Sequence, residues 1–376
     1  MRTELASRYR HLFPVLDNVT YLNSCSQGAL AIPVRDAINQ YLDGMYAQGS
    51  LWDQWVMKLE ELRDLVALAF TTNKSNVAIT TTVSAGINSV LSSFDFSGKK
   101  NQIITTNMEF PTMGQILHAQ ERRGAEIIHI GSNKDGLLDF EKFEENLNEN
   151  VALVAVTHVC YKNGAMTDVK AITDIAHRHN IPVLVDAYQS VGSVPIHFDD
   201  LGADFLVGGF LKYMLGIPGI GFLLAKENSE WIPTKTGWFA ARNVFTMNIE
   251  SYEPALDARR FEEGTPPIPS IYAAIAGLKI LLDVGISNIW QEVSLSHNIL
   301  RNRIEDLGLH VVTPSKNGAH GAMIAFASTN DTQVVSSLQN SRVICSSRGG
   351  NVRISPHFYN DQKDLETLIS ALSRLL

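Results

Sequence analysis

Short apolar runs alternate with helix-spaced apolar positions along most of this chain, a pattern that predicts a parallel sheet wrapped by helices. Strands are expected over residues 77–81, 102–106, 126–130, 152–157, 182–185, 205–207 and 220–225. Between them, residues 84–94, 113–123, 140–147 and 169–179 read as helices by their apolar spacing. The pattern changes after Pro254. A loop, RRFEEGTPPIP, leads into helical stretches over 271–284 and 288–307, followed by a few short strands and a final amphipathic helix over 362–376. The last third therefore reads as a smaller domain. No internal repeat or low-complexity linker interrupts the chain, which implies that the two parts pack rigidly.

Composition sets the outer limits. With 376 residues, 45% of them hydrophobic, the chain can bury a large core and is long enough for two domains, or one large and one small. Its 31 basic and 39 acidic residues give a net charge of −8, which argues against nucleic acid or an anionic membrane as the main partner. The opening MRTELASRYRHLFP has no apolar core of signal-peptide length, and no later segment approaches a membrane span. Cys25, Cys160 and Cys345 are spaced too irregularly for a disulfide framework or a zinc site, so a reducing cytoplasm is the expected location and no metal is expected.

In sheets of this type, ligands sit beyond the carboxyl ends of the strands, and the candidate chemistry collects there. The run VLVDAYQ is an apolar strand ending in Asp186, and Lys212 follows in the glycine-flanked turn GGFLKY. An acid at a strand end and one such lysine are what an enzyme needs to hold pyridoxal 5′-phosphate. The lysine forms a Schiff base, and the acid keeps the pyridine nitrogen protonated so that the ring can draw electrons from a substrate. TTTVSAGIN places Val83, Ser84 and Ala85 at a strand-to-helix turn, where free amides suit a phosphate. Phe110, after the next strand, is positioned to stack on a planar ring. Each feature alone has an ordinary explanation: a turn acid, a solvated lysine, an N-cap, a core aromatic. Their order at successive strand ends does not.

Those residues carry a resemblance. The chain resembles the class V aminotransferase family of fold-type I pyridoxal-phosphate enzymes, which includes kynureninases, cysteine desulfurases, selenocysteine lyases and isopenicillin N epimerase-like proteins. The likeness runs from TYLNSCSQGAL through TTNMEFPTMGQ, VTHVCYKNGAMTDV, LVDAYQSVGSVPI and GGFLKYMLGIPGIGFLLA to FEEGTPPIP and GGNVRISPHFYN. It implies an α/β fold with a large cofactor-binding domain over 26–254, built on a mainly parallel seven-stranded sheet. A smaller C-terminal α+β domain would cover 255–376, with residues 1–25 packing against it.

The resemblance also implies roles. Lys212 would be the Schiff-base lysine and proton shuttle, Asp186 the acid at the pyridine nitrogen, and Gln189 the partner of the ring hydroxyl. Val83, Ser84 and Ala85 would hold the phosphate, Phe110 would stack on the ring, and Thr265 would reach the phosphate of a neighbouring subunit in a homodimer. Arg353 would grip the substrate carboxylate in a bidentate fork, with Asn23 and Tyr161 also on the substrate side. Trp238, Phe239 and Arg348 are further wall candidates. Two departures stand out. Gly209 and Leu211 occupy positions where family members commonly carry phosphate donors, and Cys345 lies only eight residues before Arg353 (345 to 353), an awkward place for the mobile nucleophile of a desulfurase.

The implied activity is that of an aminotransferase or side-chain-cleaving lyase acting on an α-amino acid through an external aldimine and a quinonoid. Desulfurase-type C–S or C–Se cleavage and kynureninase-like hydrolysis are the alternatives. A catalytically silent relative used for binding is an alternative of another class. A dinucleotide enzyme is disfavoured, because GIPGIG precedes a strand instead of opening a helix.

Overall fold

The computed structural model describes residues 4–226 and 230–376. Helix α1 (Glu4–Tyr9) leads to the short strand β1 (Thr20–Tyr21), and two long helices follow, α2 (Ile32–Gln48) and α3 (Trp52–Ala69). The alternating region then runs β2 (Val77–Thr80), α4 (Val83–Leu91), β3 (Gln102–Thr106), α5 (Pro111–Ala119), β4 (Glu126–Ile130), α6 (Phe140–Glu145), β5 (Val151–Thr157), α7 (Val169–Arg178), β6 (Val183–Asp186), α8 (Phe198–Leu201), β7 (Phe205–Gly209) and β8 (Gly221–Ala225). Strands β2 to β8 form one seven-stranded sheet in the order β2-β8-β7-β6-β5-β3-β4. Only β8 runs antiparallel to its neighbours. This is the mainly parallel sheet expected from the sequence, and it explains why β5 reads as the unbroken run VALVAVT. Every residue of that strand is buried, because helices cover both faces.

Register brings the chemistry to one edge. Thr157 pairs with Asp186 and Asp186 with Val207, so β5, β6 and β7 end level with one another. Because β8 is reversed, the residues leading into it lie on the same edge.

The chain continues through α9 (Ile268–Val284), α10 (Ile286–Asp306), β9 (Ile324–Ala327), α11 (Asp331–Asn340), β10 (Val343–Ile344), β11 (Ser346–Arg348), β12 (Asn351–Ile354) and α12 (Gln362–Ser373). Pro269 in the first turn of α9 and Gly285 at φ 85° explain where that helix starts and stops. Strands β11, β12 and β9 form a second, antiparallel sheet, whose core of Leu300, Ile304, Phe326, Leu338, Val352, Ile354, Leu368 and Leu372 is separate from that of the large sheet. The amino-terminal residues lie against this part of the chain: β1 pairs with β10, and Arg10 bonds Asp364 at 2.6 Å.

Helices α2, α3 and α11 were not expected from the sequence pattern. In α2 the reason is visible, since Leu42, Met45 and Tyr46 all point outward and Tyr46 is 96% exposed, which scrambles the apolar spacing. Among the described residues no single helix is long and apolar enough to cross a membrane.

Candidate active site

A cavity of about 340 Å³ opens at the common edge of β2, β3, β5, β6 and β7. The loop after β2 supplies Thr81, Thr82, Val83 and Ser84; Phe110 and Thr112 come from the start of α5. Thr157, Val159 and Tyr161 follow β5, Asp186, Tyr188 and Gln189 follow β6, Leu211 and Lys212 follow β7, and Pro218, Gly219 and Ile220 precede β8. Phe110 and Tyr161 meet edge to face at 5.0 Å between ring centroids, forming an aromatic wall.

Lys212 stands in this cavity with its Nζ 4.1 Å from the Tyr188 ring centroid and 5.6 Å from that of Phe110. Burial lowers its pKa to about 8, against the pull of Asp186, which favours the ammonium. Its turn is held from outside by Gly28, whose N–H donates to Leu211 O at 2.9 Å. A Cβ at position 28 would lie 2.4 Å from Lys212 O, so only glycine allows that approach.

Asp186 is buried, and burial raises its pKa even though the Tyr188 N–H donates to Oδ1 and Lys212 lies nearby. Oδ2 has no hydrogen bond among the described residues. A buried acid in that state is stabilised by a cationic partner brought into the cavity. Gln189 donates from Nε2 to Cys25 O at 3.0 Å, which fixes the amide and leaves Oε1 buried with no partner. A second buried acid, Glu109, lies beneath the floor. Its Oε1 accepts from Thr106 Oγ1 and Thr157 N, both at 2.8 Å, and burial pushes its pKa up to about 8.

Not every expected residue lines the cavity. At the start of α4, Thr82 caps the helix by accepting from Ala85 N at 3.0 Å, so the Ala85 amide is already spent. The free amides at that turn are those of Val83 and Ser84. Arg353 is buried just behind the wall, where NH1 donates to Tyr161 O and NH2 to Ser346 Oγ, both at 2.9 Å, and Nε has no partner. Asn23 bridges Ser355 through the backbone and keeps a buried, unpartnered Oδ1. Thr265 is exposed and away from the cavity of its own chain. Trp238 packs on Trp52, Phe239 and Phe245 and does not line this cavity, and Arg348 is exposed.

Sequence reasoning did not single out Thr81, Thr82, Thr157 or Tyr188 as site residues. The threonines carried a usable signal, as hydroxyls at strand ends. Tyr188 carried none, because its relevance depends on a neighbour across the sheet.

All three cysteines are free and buried, and burial pushes the Cys345 thiol up to about 12, far from the low pKa of a reactive thiolate.

The donor set fits pyridoxal 5′-phosphate. Lys212 offers an amine with a lowered pKa, Asp186 a carboxylate in need of a cation, and Gln189 an unpartnered acceptor for a ring hydroxyl. Val83 and Ser84 offer free amides for a phosphate, and Phe110 an apolar ring face.

Comparison with known proteins finds relatives along nearly the whole chain. The Aminotransferase class-V family profile matches residues 20–368. The uncharacterized aminotransferase YcbU of Bacillus subtilis (strain 168) is 34% identical over 371 residues, covering 98% of each chain. A kynureninase of Geobacillus thermodenitrificans (strain NG80-2) is 24% identical over 337 residues, 86% of this chain and 79% of its own. Among solved structures, the apo cysteine desulfurase of Thermococcus onnurineus NA1 superposes with a TM-score of 0.88 at 22% identity, covering 100% of this chain and 98% of that one, a likeness of fold.

Proposed function

The chain belongs to the class-V aminotransferase family of pyridoxal-phosphate enzymes, and from that premise we propose that it acts on an α-amino acid as an aminotransferase. The observation that carries this reading is the convergence of Asp186, Gln189 and Lys212 on one aromatic-walled cavity at the strand ends. When bound, the cofactor supplies a carbonyl for the substrate amine and an electron-accepting ring.

The chain's own residues do the rest. Asp186, buried and short of a cationic partner, holds a proton at the ring nitrogen. Gln189 Oε1 accepts from the ring hydroxyl, with the amide fixed by Cys25 O. Lys212, an amine for part of the time at neutral pH, takes the proton from the substrate α-carbon and returns it elsewhere. Phe110 and Tyr161 exclude water from one side. Arg353, with an unpartnered Nε behind Tyr161, is the cation for the substrate carboxylate, and Asn23 Oδ1 is an unpartnered acceptor from the same layer.

A kynureninase-like side-chain cleavage is the second reading, favoured by the edge-to-face Phe110 and Tyr161 pair, which suits an aromatic side chain. A desulfurase mechanism through Cys345 is disfavoured by that thiol's burial. We further propose a homodimer in which Thr265 serves the neighbouring cavity. Supporting it are the exposure of Thr265 and the apolar side chains that Leu42, Tyr46, Ile249 and Leu256 present to the outside. A single-chain mass by light scattering would overturn it.

The experiment that separates the readings incubates the purified, cofactor-loaded protein with a panel of amino acids and no keto acid, following absorbance and products together. A single equivalent of keto acid, with one-time conversion of the cofactor to its amine form, is the result expected. Continuous release of a side-chain fragment would instead make the protein a lyase and name the bond it breaks.

A further inference from the structure

The phosphate end of the cavity lacks the side-chain donors expected just before Lys212, because Gly209 has no side chain and Leu211 is apolar. The space a side chain at 209 would occupy is not empty. A Cβ built on Gly209 would lie 2.6 Å from Tyr188 Cε2, 2.7 Å from Cζ and 3.0 Å from the hydroxyl. Carbon atoms do not approach so closely, so any residue other than glycine at 209 would collide with the phenol unless one of them moved. Gly209 and Tyr188 are therefore a matched pair: one residue gives up the space and the other fills it with a ring that ends in a hydroxyl.

The chemistry of that hydroxyl is defined. Burial together with Asp186 pushes its pKa up to about 12. The phenol therefore stays protonated at physiological pH. Its O–H is therefore available as a donor, and no hydrogen bond from it to a described residue is formed. The Tyr188 ring lines the cavity with Lys212 Nζ 4.1 Å from its centroid, and Val83 and Ser84 line the same cavity. A protonated phenol can donate a hydrogen bond to a phosphate oxygen.

We propose that Tyr188 donates a hydrogen bond to the cofactor phosphate, taking the place of the side-chain donor that position 209 lacks. The inference rests on the pyridoxal-phosphate reading of the cavity. It concerns this chain's own solution to phosphate binding, in which Tyr188, two residues after Asp186, supplies the donor.

The test uses two ligands that differ only in the phosphate. Apoprotein and its Tyr188→Phe variant are titrated with pyridoxal 5′-phosphate and with pyridoxal, reading the absorbance of the bound carbonyl, and the bound phosphate is observed by phosphorus NMR. Tyr188→Phe should weaken the phosphate ester about tenfold or more, the loss of one hydrogen bond to a charged group, while pyridoxal changes by less than about twofold. The phosphorus resonance should move as well. Equal weakening of both ligands would mean that the ring acts by packing and would overturn the proposal, as would unchanged affinity for the ester. If the unsubstituted protein captures neither ligand, the cofactor reading itself fails, and that is seen before any variant is compared.

A second pair of variants guards against misfolding. Tyr188→Ala should bind the ester poorly, and Tyr188→Ala combined with Gly209→Ser, which returns a hydroxyl to the vacated space, should recover at least about tenfold of that loss. No recovery in a variant of unchanged thermal midpoint would count against a phosphate role.

Discussion

At Lys212 two opposing fields meet. Burial disfavours the ammonium and Asp186 favours it; burial wins, and the amine titrates near 8. Only the neutral amine attacks a carbonyl, so capture of pyridoxal phosphate by the apoprotein should quicken about tenfold per pH unit below about pH 8 and level off above it. Asp186→Asn removes the charge that holds the proton on the amine, so its plateau should begin at lower pH. Stopped-flow absorbance reads both profiles. A rate that is flat from about pH 6 to about pH 9, or a plateau moved upward by Asp186→Asn, would contradict this electrostatic account. The same reasoning bears on Glu109, the second buried acid under the floor: with a pKa near 8 it stays largely protonated at neutral pH and adds little negative charge beside Asp186.

Where α10 packs against the loop before β9, His297 and His320 stack with ring centroids 3.8 Å apart and planes 6° from parallel. His297 is wholly buried, and neither ring nitrogen has a partner. Burial, with help from His320 and Arg301, lowers its pKa to about 2, so the folded protein keeps it neutral while the unfolded chain protonates it near 6.5. The stability it contributes is therefore complete above about pH 6.5 and is lost as pH falls toward 2, at up to about 1.4 kcal/mol per pH unit. Urea midpoints should drop between about pH 7.5 and about pH 5 in the native protein and drop less in His297→Leu. An equal drop in both would show that the stack is not the acid-sensitive contact. Elements of this kind also show what the sequence could and could not reveal. The seven strands of the large sheet were legible to within two residues at every end, because strands buried on both faces, such as β5, leave unbroken apolar runs. Helix α2 was not, because its outward-facing Leu42, Met45 and Tyr46 break the periodicity that a one-sided helix would show. Asp186, Gln189 and Lys212 were readable as a motif, whereas the spent amide of Ala85 and the pairing of Tyr188 with Gly209 depend on contacts that no linear spacing encodes.

Across the whole molecule, the fold serves to bring strand ends to one edge and to close them over from the other parts of the chain. Segment 22–29 reaches the site from the amino terminus, with Cys25 O holding Gln189 and Gly28 pinning the Lys212 turn. Arg353 reaches it from β12, behind Tyr161. The cavity itself is lined by residues at the edge of the large sheet, and the amino-terminal segment and the antiparallel sheet brace those residues from behind. If the cavity holds pyridoxal phosphate on Lys212, borohydride reduction of the cofactor-loaded protein followed by peptide mapping shows it directly. A pyridoxyl group on Lys212, absent from Lys212→Ala, is the predicted result. Label on another lysine, or undiminished label in Lys212→Ala, would contradict it.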